Sequence, residues 1–145
     1  MIAPARVVKA SANARFILNA DQVYDKKNNL TWARCSLGQT WDSYMGCVGV
    51  VKQWNFDQVQ ARLDDGWRVP THAELLTLID PAGKTSRLPI DVISFPNLDA
   101  DKLVYWSVEE EDNSFAWAVI FIENGINASL YRSHRYAIRL VRSGK

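Results

Sequence analysis

Two cysteines, two histidines, one acidic run and a late group of arginines are the residues of this 145-residue chain whose types and spacing could do chemistry. Cys35 and Cys47 stand twelve positions apart in a segment that carries Gly38, Gly46 and Gly49 and has no regular period. Such a pair reads as a disulfide, closing a loop that would stabilise the fold by about 3 kcal/mol in the chain-entropy account. It also reads as two separate buried thiols in a reducing compartment. Neither cysteine has a histidine beside it in the sequence, and an activating base is what a cysteine nucleophile generally needs. His72 is expected at the surface, at the start of a helix. His134, in Ser133-His134-Arg135, falls between two strands and can touch a ligand there. The four positions Cys35, Cys47, His72 and His134 offer none of the short paired spacings of a zinc site, so no metal site is expected.

The acidic run is Glu109-Glu110-Glu111-Asp112-Asn113. Its oxygens suit calcium or a cationic ligand. A contiguous run rarely turns every carboxylate onto one ion, however, and a solvated loop between strands is the plainer expectation. Arg132, Arg135, Arg139, Arg142 and Lys145 gather near the end. If Arg132 and Arg135 point outward after Tyr131, they would meet sulfate or carboxylate groups through bidentate hydrogen bonds. The alternating Arg139 and Arg142 would instead face the core edge and pair with acids from the loops. No Ser-His-Asp order, glycine-rich phosphate loop or carboxylate pair of known spacing occurs, so neither a catalytic residue nor a cofactor is expected.

The elements that must position these residues follow from composition and pattern. Apolar residues are 48% and charged residues 23%, the composition of one globular domain. Seventeen Lys and Arg against sixteen Asp and Glu leave a net charge of +1. That balance speaks against nucleic acid or anionic lipid as partner, because both need a concentrated basic face. No run approaches the roughly 20 apolar residues of a membrane span. Residues 1–14 read as a loose lead to a single domain over 15–145, and Pro4, Arg6, Lys9 and Asn13 break any secretory signal there. Six tryptophans, at 32, 41, 54, 67, 106 and 117, are expected mostly in the core rather than on an exposed sugar-stacking platform.

Arg15 to Leu18, Gln22 to Tyr24 and Leu30 to Trp32 are short β-prone runs, the last two joined by the polar turn Asp25-Lys26-Lys27-Asn28-Asn29. Residues 35–53 read as an ordered loop. Phe56, Val59 and Leu63 predict a short helix over about 55–64, stopped by Asp64-Asp65-Gly66. Thr71 and Glu74 form a capping box that opens a second helix ending near Asp80-Pro81. After a loop-rich stretch come strands at Leu103 to Val108 and Phe115 to Ile122, the latter apolar enough to be central. Asn124-Gly125 predicts a type I′ hairpin into Ile126 to Tyr131, and Tyr136 to Arg142 alternates as a closing strand. Strands, two helices and a β-meander make an α+β domain with antiparallel sheet.

These residues have a familiar order. Leu30-Thr31-Trp32, Arg34 to Trp41 leading to Cys47, Trp67-Arg68-Val69-Pro70-Thr71 with Glu74-Leu75, Phe95-Pro96, Tyr105-Trp106-Ser107 and Ile138-Arg139-Leu140-Val141-Arg142 occur in series. The series, over about 15–143, resembles the Lcl C-terminal domain family, named after the C-terminal domain of a bacterial collagen-like surface adhesin. The resemblance implies a C-type-lectin-like fold, with two short helices on a twisted antiparallel sheet, related in architecture to sulfatase-modifying enzymes. It implies an extracytoplasmic place, periplasmic or at the cell surface, and in the adhesin the binding of sulfated polysaccharide. With that resemblance the Cys35–Cys47 disulfide is the favoured pairing, and Met1 is expected to stand where an export signal has been removed. The sulfatase modifiers use cysteine chemistry, but none of their active-site residues can be matched here. The reading is a non-enzymatic module that binds a glycan or a protein partner through Glu109, Glu110, Asp112, Asn113, Tyr131, Arg132, His134 and Arg135. An enzyme of the sulfatase-modifier type, or a hydrolase, is the alternative.

Overall fold

The computed structural model describes residues 15–60, 66–79, 88–122 and 124–145. The expected lead of residues 1–14 lies outside them, as do the expected ends of both helices. The element order is β1 (Phe16–Asn19), β2 (Gln22–Asp25), β3 (Leu30–Ala33), β4 (Thr40–Asp42), β5 (Gly46–Val48), α1 (Phe56–Gln60), α2 (His72–Leu76), β6 (Val104–Glu110), β7 (Phe115–Ile120), β8 (Ile126–Tyr131) and β9 (Val141–Ser143). The strands form three small antiparallel sheets: β1-β2-β3-β9, β4-β5 and β6-β7-β8. Among the described residues this is an α+β arrangement with two short helices, as the residue pattern predicts.

Local chemistry explains the first sheet. Asp25 ends β2, and its carboxylate accepts from the Lys27 amide (3.0 Å) and the Asn28 side chain (2.8 Å), closing the polar turn. Arg15 grips the same carboxylate with two bonds of 2.9 Å. Before α2 the capping box is complete: Thr71 Oγ1 accepts from the Glu74 amide (3.1 Å), and Glu74 Oε1 accepts from the Thr71 amide (2.9 Å). Arg68 then holds both Glu74 oxygens at 2.7 Å.

The structure corrects three expectations. Residues 35–53 are not all loop, since they contain the β4–β5 hairpin. Its strands are three residues each, too short to carry a period, and it is held by contacts distant in sequence, such as the Cys47 amide on Asn97 Oδ1 (2.8 Å). The β7–β8 connection is not a two-residue turn either. Ile120 pairs with Ile126, leaving five residues between, because Phe121 leaves the ladder to bury its ring and donates its amide to Leu103 O (2.9 Å). Gly125 keeps a positive φ of 80°, and a side chain there would run into Ile79.

The third correction concerns residues 136–142, of which only Val141 and Arg142 are ladder strand, in β9. The alternation is real but has no solvent side. Ala137 and Val141 belong to one core cluster with Phe16, Val23, Trp32, Leu75, Phe95 and Tyr105. Ile138 and Leu140 belong to another with Phe56, Val59, Val69, Trp106 and Ala118. Arg139, on the first side, does not reach a loop acid as expected. Its guanidinium donates to the carbonyls of Ala33 (3.1 Å) and Arg34 (2.6 Å) and to Ser36 Oγ (3.2 Å). Arg142 likewise meets no acid among the described residues; it donates to Gln22 Oε1 (2.8 Å) and lies over the Trp67 ring.

Of the tryptophans, Trp32 and Trp106 are wholly buried. Trp41, Trp54, Trp67 and Trp117 are half-buried at the rim of the core, each with a cationic side chain or an imidazole against its ring. The expectation that most tryptophans lie in the core holds in full for two of the six, with Trp54 and Trp67 packed at the margin of the second cluster.

Candidate functional site

Three segments far apart in sequence meet at one end of the β6-β7-β8 sheet. After β8 the chain turns tightly, His134 N–H donating to Tyr131 O (3.1 Å), and then pairs Tyr136 with Trp54. The Phe56 amide donates to Arg132 O (3.0 Å), and the Arg132 amide donates to Ser114 O (2.9 Å). Backbone bonds therefore fasten the start of α1 and the β6–β7 turn to the same residue.

Each segment is also fixed locally. Asn55 caps α1: its Oδ1 accepts from the Gln58 amide (3.0 Å), while Gln58 Oε1 accepts from the Asn55 amide (2.9 Å). In the β6–β7 turn, Asp112 Oδ1 accepts from the amides of Ser114 and Phe115, both at 2.8 Å. Between the three segments lies an open groove of about 570 Å³. Asn55 and Asp57 line it from α1, Asn113 and Ser114 from the turn, and Tyr131, Arg132 and Ser133 from the chain after β8.

One wall is aromatic. Tyr131 is 54% exposed, rests on Phe115 at a centroid distance of 4.8 Å and touches the His134 ring at 5.3 Å. The row runs inward through Tyr136, Trp106 and Phe56. Burial raises the Tyr136 phenol above its ordinary 10.0, so it stays protonated in the physiological range. Arg132 forms the floor. Its guanidinium lies over the Phe56 ring and donates to Asp57 Oδ1 (3.0 Å), Glu110 Oε1 (2.7 Å) and Asp112 O (3.0 Å). Asp57 and then Glu110, through those hydrogen bonds, hold it above its ordinary range, so it remains a cation.

The structure thus brings Asn113, Tyr131 and Arg132 together at the groove, with Glu110 reaching Arg132 from β6 and Asp112 shaping the turn. His134 is exposed beside Tyr131, with Nδ1 3.3 Å from the Tyr136 hydroxyl, and Arg135 is exposed in the same turn. Glu109 is not brought there. The register of β6 on β7 shifts between Trp106 and Glu110, and that irregularity directs Glu109 to His72, whose backbone amide it accepts at 2.8 Å and whose ring it also meets. His72 is accordingly half-buried and partnered rather than a plain surface residue. The sequence reading missed Asn55, Asp57, Ser114 and Ser133. The Asn55–Gln58 spacing was a legible signal for the first two, being the N-terminal signature of a helix.

Away from the groove, Cys35 and Cys47 are joined in a disulfide with Cα atoms 5.4 Å apart, so neither sulfur is a thiol. Among the described residues, no group of three or more His, Cys, Asp or Glu is placed to hold a metal ion. No described helix is long and apolar enough to cross a membrane.

Among the described residues, small antiparallel sheets, two short helices and a solvent-open groove at a sheet end make a loop-bearing α+β scaffold. The chain belongs to the Lcl C-terminal domain family, whose pattern it matches over residues 21–142. No match was found among curated proteins or among solved structures.

Proposed function

We propose that residues 15–145 form one non-enzymatic binding domain, built on a C-type-lectin-like scaffold, that works outside the cytoplasm and holds a carbohydrate chain in the groove. The observation that carries this reading is the exposed Tyr131 ring, set beside amide, hydroxyl, carboxylate and guanidinium groups on backbone that is already fixed. A pyranose offers an apolar face and a fringe of hydroxyls, so it needs a flat ring beside mixed donors and acceptors. The disulfide supports an oxidising compartment, and membership of a family named for a surface adhesin domain agrees with it. The disulfide holds both sulfurs away from the free thiolate that a cysteine nucleophile needs, which favours a binding role over chemistry of the sulfatase-modifier kind.

A protein partner is the second reading, favoured by one feature. The tip of the β4–β5 hairpin presents Tyr44 and Met45, 97% and 69% exposed, on a disulfide-anchored arm. Binding of the wild-type protein to an array of bacterial and host glycans decides between the two. The Tyr131→Ala variant should lose about tenfold in affinity, about 1.4 kcal/mol, at unchanged melting temperature. Retained glycan binding in that variant removes the groove as the site.

A further inference from the structure

The ligand class follows from how the groove spends its charge, granted the carbohydrate reading above. Arg132 is the cation that lines the groove, and its side chain is only 19% exposed. Two carboxylates already occupy it, Asp57 from α1 and Glu110 from β6, and these are 83% and 53% exposed. The positive group is thus covered while the negative ones face solvent. Asp112 adds a carboxylate in the neighbouring turn, and Glu111 beside it bonds Ser129 Oγ across the sheet. Among the described residues, and with exposed Arg135 counted on the positive side, carboxylates still outnumber guanidiniums around the groove.

An anionic sugar entering here would have to displace an internal carboxylate from Arg132 and then lie against it. Like charges brought together with partial loss of water are strongly disfavoured. A neutral sugar meets no such conflict. Its hydroxyls donate to the outward lone pairs of Asp57 and Glu110, accept from Asn55, Asn113 and Ser133, and its ring face covers Tyr131. We infer that the groove selects an uncharged, polyhydroxylated saccharide chain and excludes sulfated and carboxylated ones, Asp57 and Glu110 acting as the selectivity determinants.

The test titrates the protein with neutral hexasaccharides of glucose, mannose and N-acetylglucosamine, and with dextran beside dextran sulfate. A neutral chain should bind with an affinity that changes less than about twofold between low and high salt, because no exposed ion pair is screened. Dextran sulfate should not bind the wild type. The double variant Asp57→Asn/Glu110→Gln, which frees Arg132, should gain salt-sensitive binding to dextran sulfate and lose affinity for the neutral chain. Tighter binding of dextran sulfate than of any neutral chain to the wild type overturns the selectivity and leaves a carbohydrate module standing. Absence of binding to every neutral and sulfated chain overturns the carbohydrate reading, and the selectivity with it.

Discussion

Reduction of the Cys35–Cys47 bond should destabilise the domain without unfolding it. The bond closes a loop of twelve positions, and the chain-entropy account assigns such a loop about 3 kcal/mol. Unfolding entropy near the melting point is about 2 cal/mol/K per residue, which over this chain makes about 0.3 kcal/mol/K. The ratio gives a fall in melting temperature of about 10 °C. The fold should survive, because the hairpin has other anchors: Cys47 N–H on Asn97 Oδ1 (2.8 Å), Lys52 N–H on Leu37 O (3.0 Å) and Leu37 N–H on Ile138 O (3.0 Å). Calorimetry of the oxidised protein against protein reduced and alkylated under native conditions reads the shift, with a thiol count on the unfolded sample as control. Two reactive thiols before reduction would remove the bond itself. Full reduction with an unmoved melting point would refute the loop-entropy reasoning. It would mean that the segment is equally constrained when unfolded.

Three further outcomes follow from the packing. Asp25 would be pushed up by burial, but hydrogen bonds from Arg15, Asn28 and the Lys27 amide and the charge of Arg15 outweigh it and hold the carboxyl below its ordinary 3.8. In Glu74 burial is likewise outweighed, by Arg68 and Thr71, below its ordinary 4.5. The unfolded chain therefore takes up these protons first as pH falls, so stability is level at neutral pH and declines below about 4.5; denaturant melts of Asp25→Asn and Glu74→Gln should show a shallower decline. Arg139→Met leaves buried carbonyls and hydroxyls without their donor and should lower stability by about 3 kcal/mol, a loss that Arg139→Lys does not repair because an ammonium lacks the planar fork. Gly38→Ala sets a Cβ 2.6 Å from backbone atoms of Val50 and Lys52 at φ 103°, whereas Gly66→Ala at φ 85° meets no atom of the described residues within 4 Å; urea titration should show the first as clearly the worse, Gly66→Ala losing only the left-handed penalty of about 1–2 kcal/mol.

What could be read from the sequence was whatever short-range chemistry decides. The capping box at Thr71 and Glu74, the Asp25 turn and the apolar run of β7 are each settled by residues within a few positions. The β4–β5 hairpin could not be read that way, because Asn97, fifty positions from Cys47, holds it. Residues 136–142 were read as one closing strand for the opposite reason: their alternation was visible, but where the ladder begins and what each face packs against depend on the whole packing. The site was half legible for the same cause. Asn113, Tyr131 and Arg132 stood out by type, whereas Asp57 becomes a groove residue only because Arg132, seventy-five positions later, reaches it.

The doubly buried segment also accounts for how a groove at the molecule's edge stays in shape. Residues 137–141 send alternate side chains into two clusters, so the segment cannot shift without disturbing both. Arg139 fastens it further to the carbonyls before the disulfide-bound hairpin. Its upstream end is Tyr136, which pairs with Trp54 one residue before the cap of α1 and packs on Trp106. Asn55, Arg132 and the Tyr131 ring thus hang from a segment whose position the core decides. A site fixed in this way loses little conformational freedom when a ligand arrives, and less of the contact energy goes to ordering it. Loosening the segment from the far side, as Arg139→Met does, should therefore weaken saccharide binding as well as stability, although Arg139 lines no part of the groove.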